Sequence, residues 1–305
     1  MGLTAMGAIG LSLTSDLLLE EPPERIHPVA LFGRVVGAFD REWGQPRLVG
    51  ALVAAVLPLG TGLLAAGATA GALRVGPVVG AVFAGVVLFS TVSLRMLVSV
   101  ARAVIDGTET DPAGARESVG ALVGRDAAAL SAGELRSAAV ESAAENLADG
   151  VVAPLTAFAV GVHVSLSVGV GAAVWVKAVN TLDSMLGYRS KPVGWASARL
   201  DDAVMWLPAR ISAVCIAAAA GDPSALARAR EWASAPPSPN SGWPMATLAA
   251  VLDVQLRKPD AYVLHPERRL PTAAEARRGT RIVAGAGLLA FLLAGLVAGS
   301  AGVTG

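Results

Sequence analysis

The chain of 305 residues is 54% hydrophobic and only 16% charged, and its mean hydropathy is +0.59. Because soluble domains carry about 25% charged residues, this composition excludes an ordinary soluble protein and predicts that lipid covers part of the surface. Lys plus Arg and Asp plus Glu both number 24, and the chain lacks basic arms and zinc-finger spacings, so nucleic acid is excluded as an expected partner.

The N-terminal segment predicts a short apolar helix followed by an amphipathic one. Residues 2–19 are a weak candidate for a membrane span, because a spanning helix needs about 20 apolar residues and Asp16 interrupts this one. No Lys or Arg precedes the apolar run, so a cleaved signal peptide is not expected. From residue 20 to residue 43, apolar side chains recur at helical spacing, which predicts an amphipathic helix at the membrane interface. By composition alone, His27 is a turn residue that precedes a proline.

Residues 48–94 predict a helical hairpin in the membrane. The runs 48–73 and 75–94 carry no charge, and Arg74 alone separates them. The first run contains four glycines at short intervals, Gly60, Gly62, Gly67 and Gly71. Because helices in lipid associate through close packing of small residues, we expect this span to contact another helix along its glycines.

A helix with a row of acidic side chains is predicted over residues 131–150. It begins with the capping-box sequence SAGE and ends at Gly150, a typical helix stop. Glu141, Glu145 and Asp149 repeat every fourth residue and therefore line one face. Like charges at this spacing repel by a few tenths of a kcal/mol per pair. The row is therefore either a solvated acidic face or a face that binds a cation such as Mg²⁺, which prefers carboxylate oxygens.

A third uncharged run, residues 151–176, is long enough to span the bilayer, and polar residues follow it at once. Lys177, Asn180 and Asp183 lie at steps of three, so they share one face of a helix. A turn rich in Gly and Pro follows over residues 187–194. This pattern predicts a helix that carries polar groups from the membrane boundary into a tight connection.

A second polar helix is predicted after that turn. Its charged and aromatic members recur at steps of three and four: Arg199, Asp202, Trp206 and Arg210. Structural salt bridges are one explanation. Burying several ions is an expensive way to pack two helices, so we favour a site in which carboxylates hold Mg²⁺ while Arg and Lys hold phosphate oxygens. The apolar residues 203–221 overlap this helix and predict a broken or partly buried span, because Pro208 interrupts them.

Two features complete the chain. The loop APPSPNSGWP at residues 235–244 is forced to turn by its prolines and glycine, and it exposes Asn240 and Trp243. A fourth span is predicted over residues 282–301. The predicted fold is all-α: a polytopic membrane bundle in which residues 1–305 form a single membrane-embedded domain with interfacial and partly buried polar helices.

Basic residues predict the orientation of the loops. Nine Lys and Arg lie between Arg228 and Arg281, whereas Arg74 is alone between the first two spans. By the positive-inside rule, the N-terminal segment, residues 95–149 and residues 228–281 are cytoplasmic. This orientation requires an even number of crossings between Val151 and Gly221, so either 203–221 crosses back or 151–176 re-enters the membrane.

Six motifs in order resemble one known family. They are HPVALFG (27–33), GRD (124–126), ESAAENLADGVVAPL (141–155), KAVNTLDSMLGY (177–188), ARLDDAVMWLPAR (198–210) and SPNSGWPMATLA (238–249). The chain is similar to the adenosylcobinamide-phosphate synthase (cobinamide synthase) family of cobalamin biosynthesis, from His27 to about Tyr262. Met205 stands where that family usually has Asn.

The resemblance implies a multi-pass enzyme of the cell inner (cytoplasmic) membrane. It implies a ligase that joins adenosylcobyric acid to (R)-1-aminopropan-2-ol phosphate, or to ethanolamine phosphate, with ATP as cosubstrate and Mg²⁺ as cofactor. Expected partners are these substrates, the lipid bilayer and other corrinoid-pathway enzymes, with an active site toward the cytoplasm. The choice of amine and the oligomeric state stay open.

We expect the chemistry to divide among three groups of residues. The carboxylates expected to hold Mg²⁺ are Glu141, Glu145, Asp149, Asp183, Asp201 and Asp202. The catalytic set is Glu141, Glu145, Lys177, Asn180, Asp183, Arg199 and Arg210, in which the cations offset charge on a transferred phosphoryl group. His27, Asn240 and Trp243 are expected to face the corrinoid.

Two other functions stay open from the residues alone. A Mg²⁺-dependent membrane phosphotransferase or prenyltransferase also uses paired aspartates, but it predicts two matching Asp-rich motifs. A corrinoid-binding transporter or a non-catalytic subunit predicts inverted repeats. The polar motifs lie unpaired between Ser131 and Pro244, which favours the ligase.

Overall fold

The structure is a computed structural model that describes residues 1–19, 25, 27–123, 129–188 and 190–302. The GRD motif at residues 124–126 lies outside the described residues, as does Arg189. Within the described part, helices dominate and strands are confined to one short hairpin, which confirms the predicted all-α class.

The helices, in chain order, are α1 (Gly2–Leu18), α2 (Pro28–Gly37), α3 (Pro46–Val75), α4 (Pro77–Phe89), α5 (Leu94–Thr110), α6 (Pro112–Val123), α7 (Ala132–Leu147), α8 (Ala153–Gly161), α9 (Leu166–Leu186), α10 (Trp195–Val204), α11 (Trp206–Ala220), α12 (Ala225–Ala229), α13 (Gly242–Leu252) and α14 (Ala273–Gly299). A π-helical turn covers Ala148–Val152 and a 3-10 turn covers Pro192–Gly194. The antiparallel strands are β1 (Leu256–Lys258) and β2 (Tyr262–Leu264).

Three helical stretches among the described residues are long and apolar enough to cross a membrane: Pro46–Val75, Pro77–Thr110 and Ala273–Gly299. They agree with the predicted spans 48–73, 75–94 and 282–301. A fourth results if Pro192–Val204 and Trp206–Ala220 are counted as one broken span, the form predicted for 203–221. The weak candidate 2–19 folds as α1, which at 17 residues is shorter than a typical span.

The run 151–176 differs from its prediction, because it does not form one continuous helix. It folds as α8, a short turn and the first half of α9, and α8 and α9 pack together. The hydroxyl of Ser165 accepts a hydrogen bond from the N–H of Val168 at 3.1 Å and caps the start of α9. A Cβ built on Gly161 would lie only 2.8 Å from the Cα of Gly169. A polar cap and two facing glycines therefore produce a hairpin within an uncharged sequence.

The structure forms two compact units, and the single membrane-embedded domain stays a prediction. Unit 1 contains Met1–Ser93, Asp149–Met205 and Phe291–Gly305, and unit 2 contains Leu94–Ala148 and Trp206–Ala290. The third segment of unit 1 is described as far as residue 302.

In unit 1, the packing of α3 against α9 depends on two glycines. A Cβ on Gly62 would lie 2.9 Å from the carbonyl oxygen of Gly171, and a Cβ on Gly171 would lie 2.8 Å from the carbonyl oxygen of Gly62. The predicted glycine contact is thus confirmed at Gly62 only. At Gly60, Gly67 and Gly71, a Cβ would meet nothing within 4 Å.

The predicted amphipathic stretch forms α2, and its apolar stripe packs on protein. Val36 is fully buried in a cluster with residues of α3 and α9, and Phe32, Phe39 and Trp43 pack against that cluster. The helix is shorter than the predicted stripe, since it ends at Gly37 and residues 38–43 are not helical. His27 begins it: its Nδ1 accepts a hydrogen bond from the N–H of Val29 at 3.2 Å.

Unit 2 is built around α7, which contacts α5, α6, α13 and β1. Its core lies under this helix, where Leu135, Val140 and Leu147 are fully buried. The predicted capping box is confirmed, because the Ser131 hydroxyl accepts from the N–H of Glu134 while the Glu134 carboxylate accepts from the N–H of Ser131.

Candidate functional site

The aspartates predicted to bind a cation come together in unit 1 from three elements. Asp149 lies in the π-helical turn, Asp183 near the end of α9, and Asp201 and Asp202 on α10. Helices α9 and α10 pack against each other. Electrostatic repulsion couples Asp201 to each of the other three, and Asp183 to Asp202. We call Asp149, Asp183, Asp201 and Asp202 the aspartate cluster.

The π-helical turn corrects one sequence prediction. Gly150 does not end the helix, since the chain continues through Ala148–Val152 in π-helical geometry directly into α8. The turn is fixed by Ser93, whose N–H donates to the carbonyl oxygen of Gly150 at 3.0 Å. Because a π turn has a wider period than an α turn, the four-residue spacing no longer defines a face at Asp149. The predicted continuous acidic row therefore breaks after Glu145.

Two polar residues of α9 complete the aspartate cluster. Lys177 attracts the carboxylate of Asp149. The side chain of Asn180 is buried and lies in hydrogen-bonding reach of both Asp149 and Asp201. Lys177, Asn180 and Asp183 therefore lie on one face of α9, as predicted, and this face interacts with the carboxylates of Asp149, Asp201 and Asp202.

Two oxygens of the cluster lack the partners that buried oxygens normally have. In the described part of the chain, the Oδ1 atoms of Asp183 and Asp201 are buried and accept no hydrogen bond. More than nine in ten buried polar groups in proteins are paired, so two orphaned carboxylate oxygens in one cluster indicate a place for a ligand.

The backbone leaves room for one of these oxygens. A Cβ built on Gly187 would lie 1.8 Å from the Oδ1 of Asp183. Any other residue at this position would close the space beside the carboxylate.

The cluster fits Mg²⁺ in one restricted sense. Among the described residues, no group of three or more His, Cys, Asp or Glu is arranged to hold a metal ion, so no all-protein cage is formed. Mg²⁺ is usually bound by one or two carboxylates together with waters and substrate phosphates. The Oδ1 atoms of Asp183 and Asp201 are donors of that kind. They could supply two of the ligands of an ion whose other ligands are not protein side chains.

The second polar helix is broken, which corrects its predicted single face. Arg199 attracts Asp202 within α10, but α10 ends at Val204 and α11 begins at Trp206. Pro208 has no N–H to donate to the carbonyl of Val204, so the α-helical ladder is interrupted at this point. Arg210 therefore belongs to α11 and to unit 2.

Glu141 and Glu145 lie on α7 in unit 2. Glu141 is buried, and its Oε1 accepts a hydrogen bond from the Ser137 hydroxyl at 2.6 Å while its Oε2 accepts one from the Tyr262 hydroxyl at 2.7 Å. Ser137 also accepts the N–H of Arg257 at 2.7 Å. Glu141 thus joins α7 to the β-hairpin. Sequence reasoning missed both partners, although Ser137 lies one helical turn before Glu141.

A second group of residues in unit 2, centred on Arg210, brings together residues that were predicted for different roles. The guanidinium of Arg210 lies 4.8 Å from the ring centre of Trp206 and 5.4 Å from that of Trp243. Its Nη1 donates to the Oδ1 of Asn240 at 2.6 Å. The predicted exposed loop is corrected here, because Asn240 is buried and Trp243 is half-buried on α13. Trp206, in contrast, is 57% exposed.

Comparison with known proteins identifies the family. The family model described as CobD/Cbib protein matches residues 9–288. A probable cobalamin biosynthesis protein CobD of Methanothrix thermoacetophila is 33% identical over 94% of this chain and 95% of the relative. The cobalamin biosynthesis protein CobD of Geobacter metallireducens is 35% identical over 97% of this chain and 98% of the relative, and that of Mycobacterium tuberculosis (strain CDC 1551 / Oshkosh) is 38% identical over 89% and 90%. No solved structure matches. The chain therefore belongs to the CobD/Cbib protein family.

Proposed function

We propose that this protein is a membrane enzyme of cobalamin biosynthesis that joins adenosylcobyric acid to an amino-alcohol phosphate. The amine is (R)-1-aminopropan-2-ol phosphate or ethanolamine phosphate, the product is adenosylcobinamide phosphate, and the reaction uses ATP. Membership of the CobD/Cbib family supports the pathway. The observation that carries the proposal is the aspartate cluster, whose two orphaned buried oxygens are suited to a charged ligand.

The chemistry explains why such a site needs both acids and bases. A carboxylate does not react with an amine until one of its oxygens becomes a leaving group. In the proposed first step, the corrinoid carboxylate attacks the γ-phosphorus of ATP, and ADP leaves with the electrons of the broken P–O bond. In the second step, the amine attacks the acyl carbon, inorganic phosphate leaves and the amine proton passes to a base.

In the proposal, residues of unit 1 offset charge, orient the carboxylates and accept the amine proton. Bound Mg²⁺ would offset the negative charge of the phosphate oxygens near Asp183 and Asp201. Asn180 keeps Asp149 and Asp201 oriented through its amide. Lys177 and Arg199 provide positive charge beside the carboxylates. An aspartate of the cluster that holds no metal accepts the proton of the attacking amine.

Feeding experiments test the proposal directly. The gene is placed in a corrinoid-pathway mutant that lacks this amide-forming step, and the cells receive either cobyric acid or cobinamide. We expect growth on cobyric acid to require the gene, while cobinamide supports growth without it. Growth on cobyric acid in the absence of the gene, or no rescue in its presence, would contradict the assignment.

A residue-level assay tests the site. Membranes that contain Asp183→Asn should form adenosylcobinamide phosphate at least about 100-fold more slowly than wild type, the order of loss for one electrostatic group of an active site. Asp40→Asn is the matched control, because Asp40 is an exposed aspartate of unit 1 that pairs with Lys191. Activity of Asp183→Asn near that of the control would remove Asp183 from the site.

A further inference from the structure

The guanidinium of Arg210 in unit 2 is held by neutral groups only. Its Nη1 donates to the carbonyl oxygen of Trp206 at 3.0 Å and to the Oδ1 of Asn240 at 2.6 Å, and its Nη2 donates to the carbonyl oxygen of Pro239 at 3.2 Å. No described acidic side chain pairs with it. Arg228 of the same unit differs in this respect, since it pairs with Asp222 at 2.6 Å.

Counting donors shows which edge of this guanidinium stays open. An arginine carries five N–H groups in a planar fork, and the contacts above use both on Nη1 and one on Nη2. The Nε–H and one Nη2–H remain. Nη1 and Nη2 donate to the adjacent residues Asn240 and Pro239, and we take this pair of contacts as occupying the Nη1–Nη2 edge. The remaining two donors therefore lie side by side on the Nε–Nη2 edge, the geometry that binds two oxygens of one anion.

The surroundings hold this edge in place. Two indole rings flank the guanidinium at cation–π distances. The loop that supplies Asn240 is fixed, because the N–H of Asn240 donates to the Ser238 hydroxyl at 3.2 Å. A Cβ on Gly242 would lie only 1.9 Å from the carbonyl oxygen of Ala233, so this turn packs tightly on its neighbour. A preorganised guanidinium loses little entropy when it binds an anion.

We propose that the Nε–Nη2 edge of Arg210 is a phosphate-binding site, with Trp206, Trp243 and Asn240 as its supporting frame. The site takes a phosphate ester, and the exposed indole of Trp206 offers a flat apolar surface to the group that the phosphate carries. This inference rests on the proposed function for its biological ligand, since ATP and the amine both carry phosphate. A lipid headgroup carries the same group, so the experiment separates these sources.

Binding is measured without corrinoid and without metal, so its outcome is independent of turnover. Purified protein in detergent is titrated by calorimetry with ATP and with O-phosphoethanolamine, and retention of phosphatidylglycerol is measured by native mass spectrometry. At least one probe should bind. Arg210→Lys should weaken that binding at least about tenfold, because lysine keeps the charge but lacks the two-donor edge. The probe whose binding Arg210→Lys weakens shows whether the bound phosphate belongs to a nucleotide, an amine phosphate or a lipid.

A pair of exposed tryptophans provides a matched control that does not depend on Arg210. Trp206→Leu should weaken the same probe about three- to five-fold through the lost cation–π contact. Trp195→Leu should leave it unchanged, since Trp195 is 53% exposed, lies on α10 and has no cation of the described residues over its ring. The proposal is wrong if no probe binds the wild type, or if Arg210→Lys binds every probe as tightly as the wild type does.

Discussion

At the scale of single residues, the aspartate cluster combines repulsion with orphaned oxygens, and both reduce stability. The Oδ1 atoms of Asp183 and Asp201 are buried without a partner, and each carboxylate is repelled by others. Leaving a buried acceptor unsatisfied costs about 1–3 kcal/mol. Proteins retain such groups at functional sites and tolerate the loss of stability there.

We therefore expect Asp201→Asn to lose activity and gain stability together. The substitution removes a negative charge from the cluster without changing the shape of the side chain much, so the melting temperature in detergent should rise by roughly 2 °C. Amide formation should fall at least about 100-fold. A fluorescence-based melting curve and the membrane assay measure the two effects on one preparation.

Asp40→Asn again serves as the control, since it removes an exposed partner of Lys191 and should change neither quantity appreciably. A clear fall in the melting temperature of Asp201→Asn would show that this carboxylate stabilises the fold, and it would then be a structural group.

For single residues, the sequence predicted correctly which side chains share a helix face, because helical spacing alone determines this. Steps of three placed Lys177, Asn180 and Asp183 on one face, and α9 confirms that face. The contact of Glu141 with Tyr262 was missed, because 121 residues separate them and no local pattern marks a strand hairpin that returns to α7. Arg210 was predicted to bind phosphate, but its contacts with Trp243 and Asn240 were missed because the loop that supplies Asn240 lies 30 residues away in sequence.

At the scale of elements, the contact of α3 with α9 gives a prediction with an internal control. Gly62→Ala or Gly171→Ala would force a methyl group to within 3 Å of the opposite backbone, and overpacking of this kind costs about 1–3 kcal/mol. Gly60→Ala and Gly67→Ala lie on the same helix with nothing within 4 Å, and they should be neutral or slightly stabilising because Ala favours helix. Thermal unfolding of the four variants in one detergent measures the difference, and equal effects at all four positions would show that close approach is unimportant.

The start of α7 gives a prediction about pH. The hydroxyl and the N–H of Ser131 hold the pKa of Glu134 at about 2, below its ordinary value of 4.5. A carboxyl group whose pKa is lower in the folded state than in the unfolded state stabilises the fold at any pH above its unfolded-state pKa. This stabilisation is lost as the pH falls toward the folded-state pKa. Stability from this cap should therefore be complete above pH 4.5 and decline toward pH 2. Ser131→Ala should lose about 1 kcal/mol at neutral pH and show a weaker decline.

Unfolding in detergent at pH 6 and pH 3 measures both effects of Ser131→Ala. Ser99→Ala is the matched control, because the hydroxyl of Ser99 donates to the carbonyl oxygen of Met96 within its own helix and caps no helix start. An identical pH response in wild type and Ser131→Ala would show that the cap does not carry the pH dependence.

Element prediction failed where a local break divides an apolar run. Hydropathy alone could not separate α8 from α9, because the hairpin between them depends on the Ser165 cap and on facing glycines rather than on charge. Pro208 correctly predicted a break within residues 203–221, yet the charged face from Arg199 to Arg210 was drawn across that break. Periodicity describes a helix well, but it does not show where the hydrogen-bond ladder stops.

At the scale of the whole molecule, composition predicted the fold class correctly, whereas the single membrane-embedded domain stays a prediction beside the two compact units. A 54% hydrophobic chain with long uncharged runs gives an all-α fold with helices long enough to span a membrane. Each compact unit draws on segments that are distant in sequence, so no linker composition marks a boundary between them. Such a division depends on long-range packing, which a single sequence does not display.

The orientation of the loops gives the last prediction. Nine basic residues lie in 228–281 and one lies between the first two spans, so the positive-inside rule places Glu267 in the cytoplasm and Val75 outside. In a Cys215→Ala background, Glu267→Cys should react with a membrane-impermeant maleimide only in inverted vesicles, and Val75→Cys only in intact cells. Both side chains lie on the protein surface, so burial inside the protein does not explain a negative result. Labelling of Glu267→Cys from outside intact cells would reverse the orientation and place this basic loop away from cytoplasmic ATP.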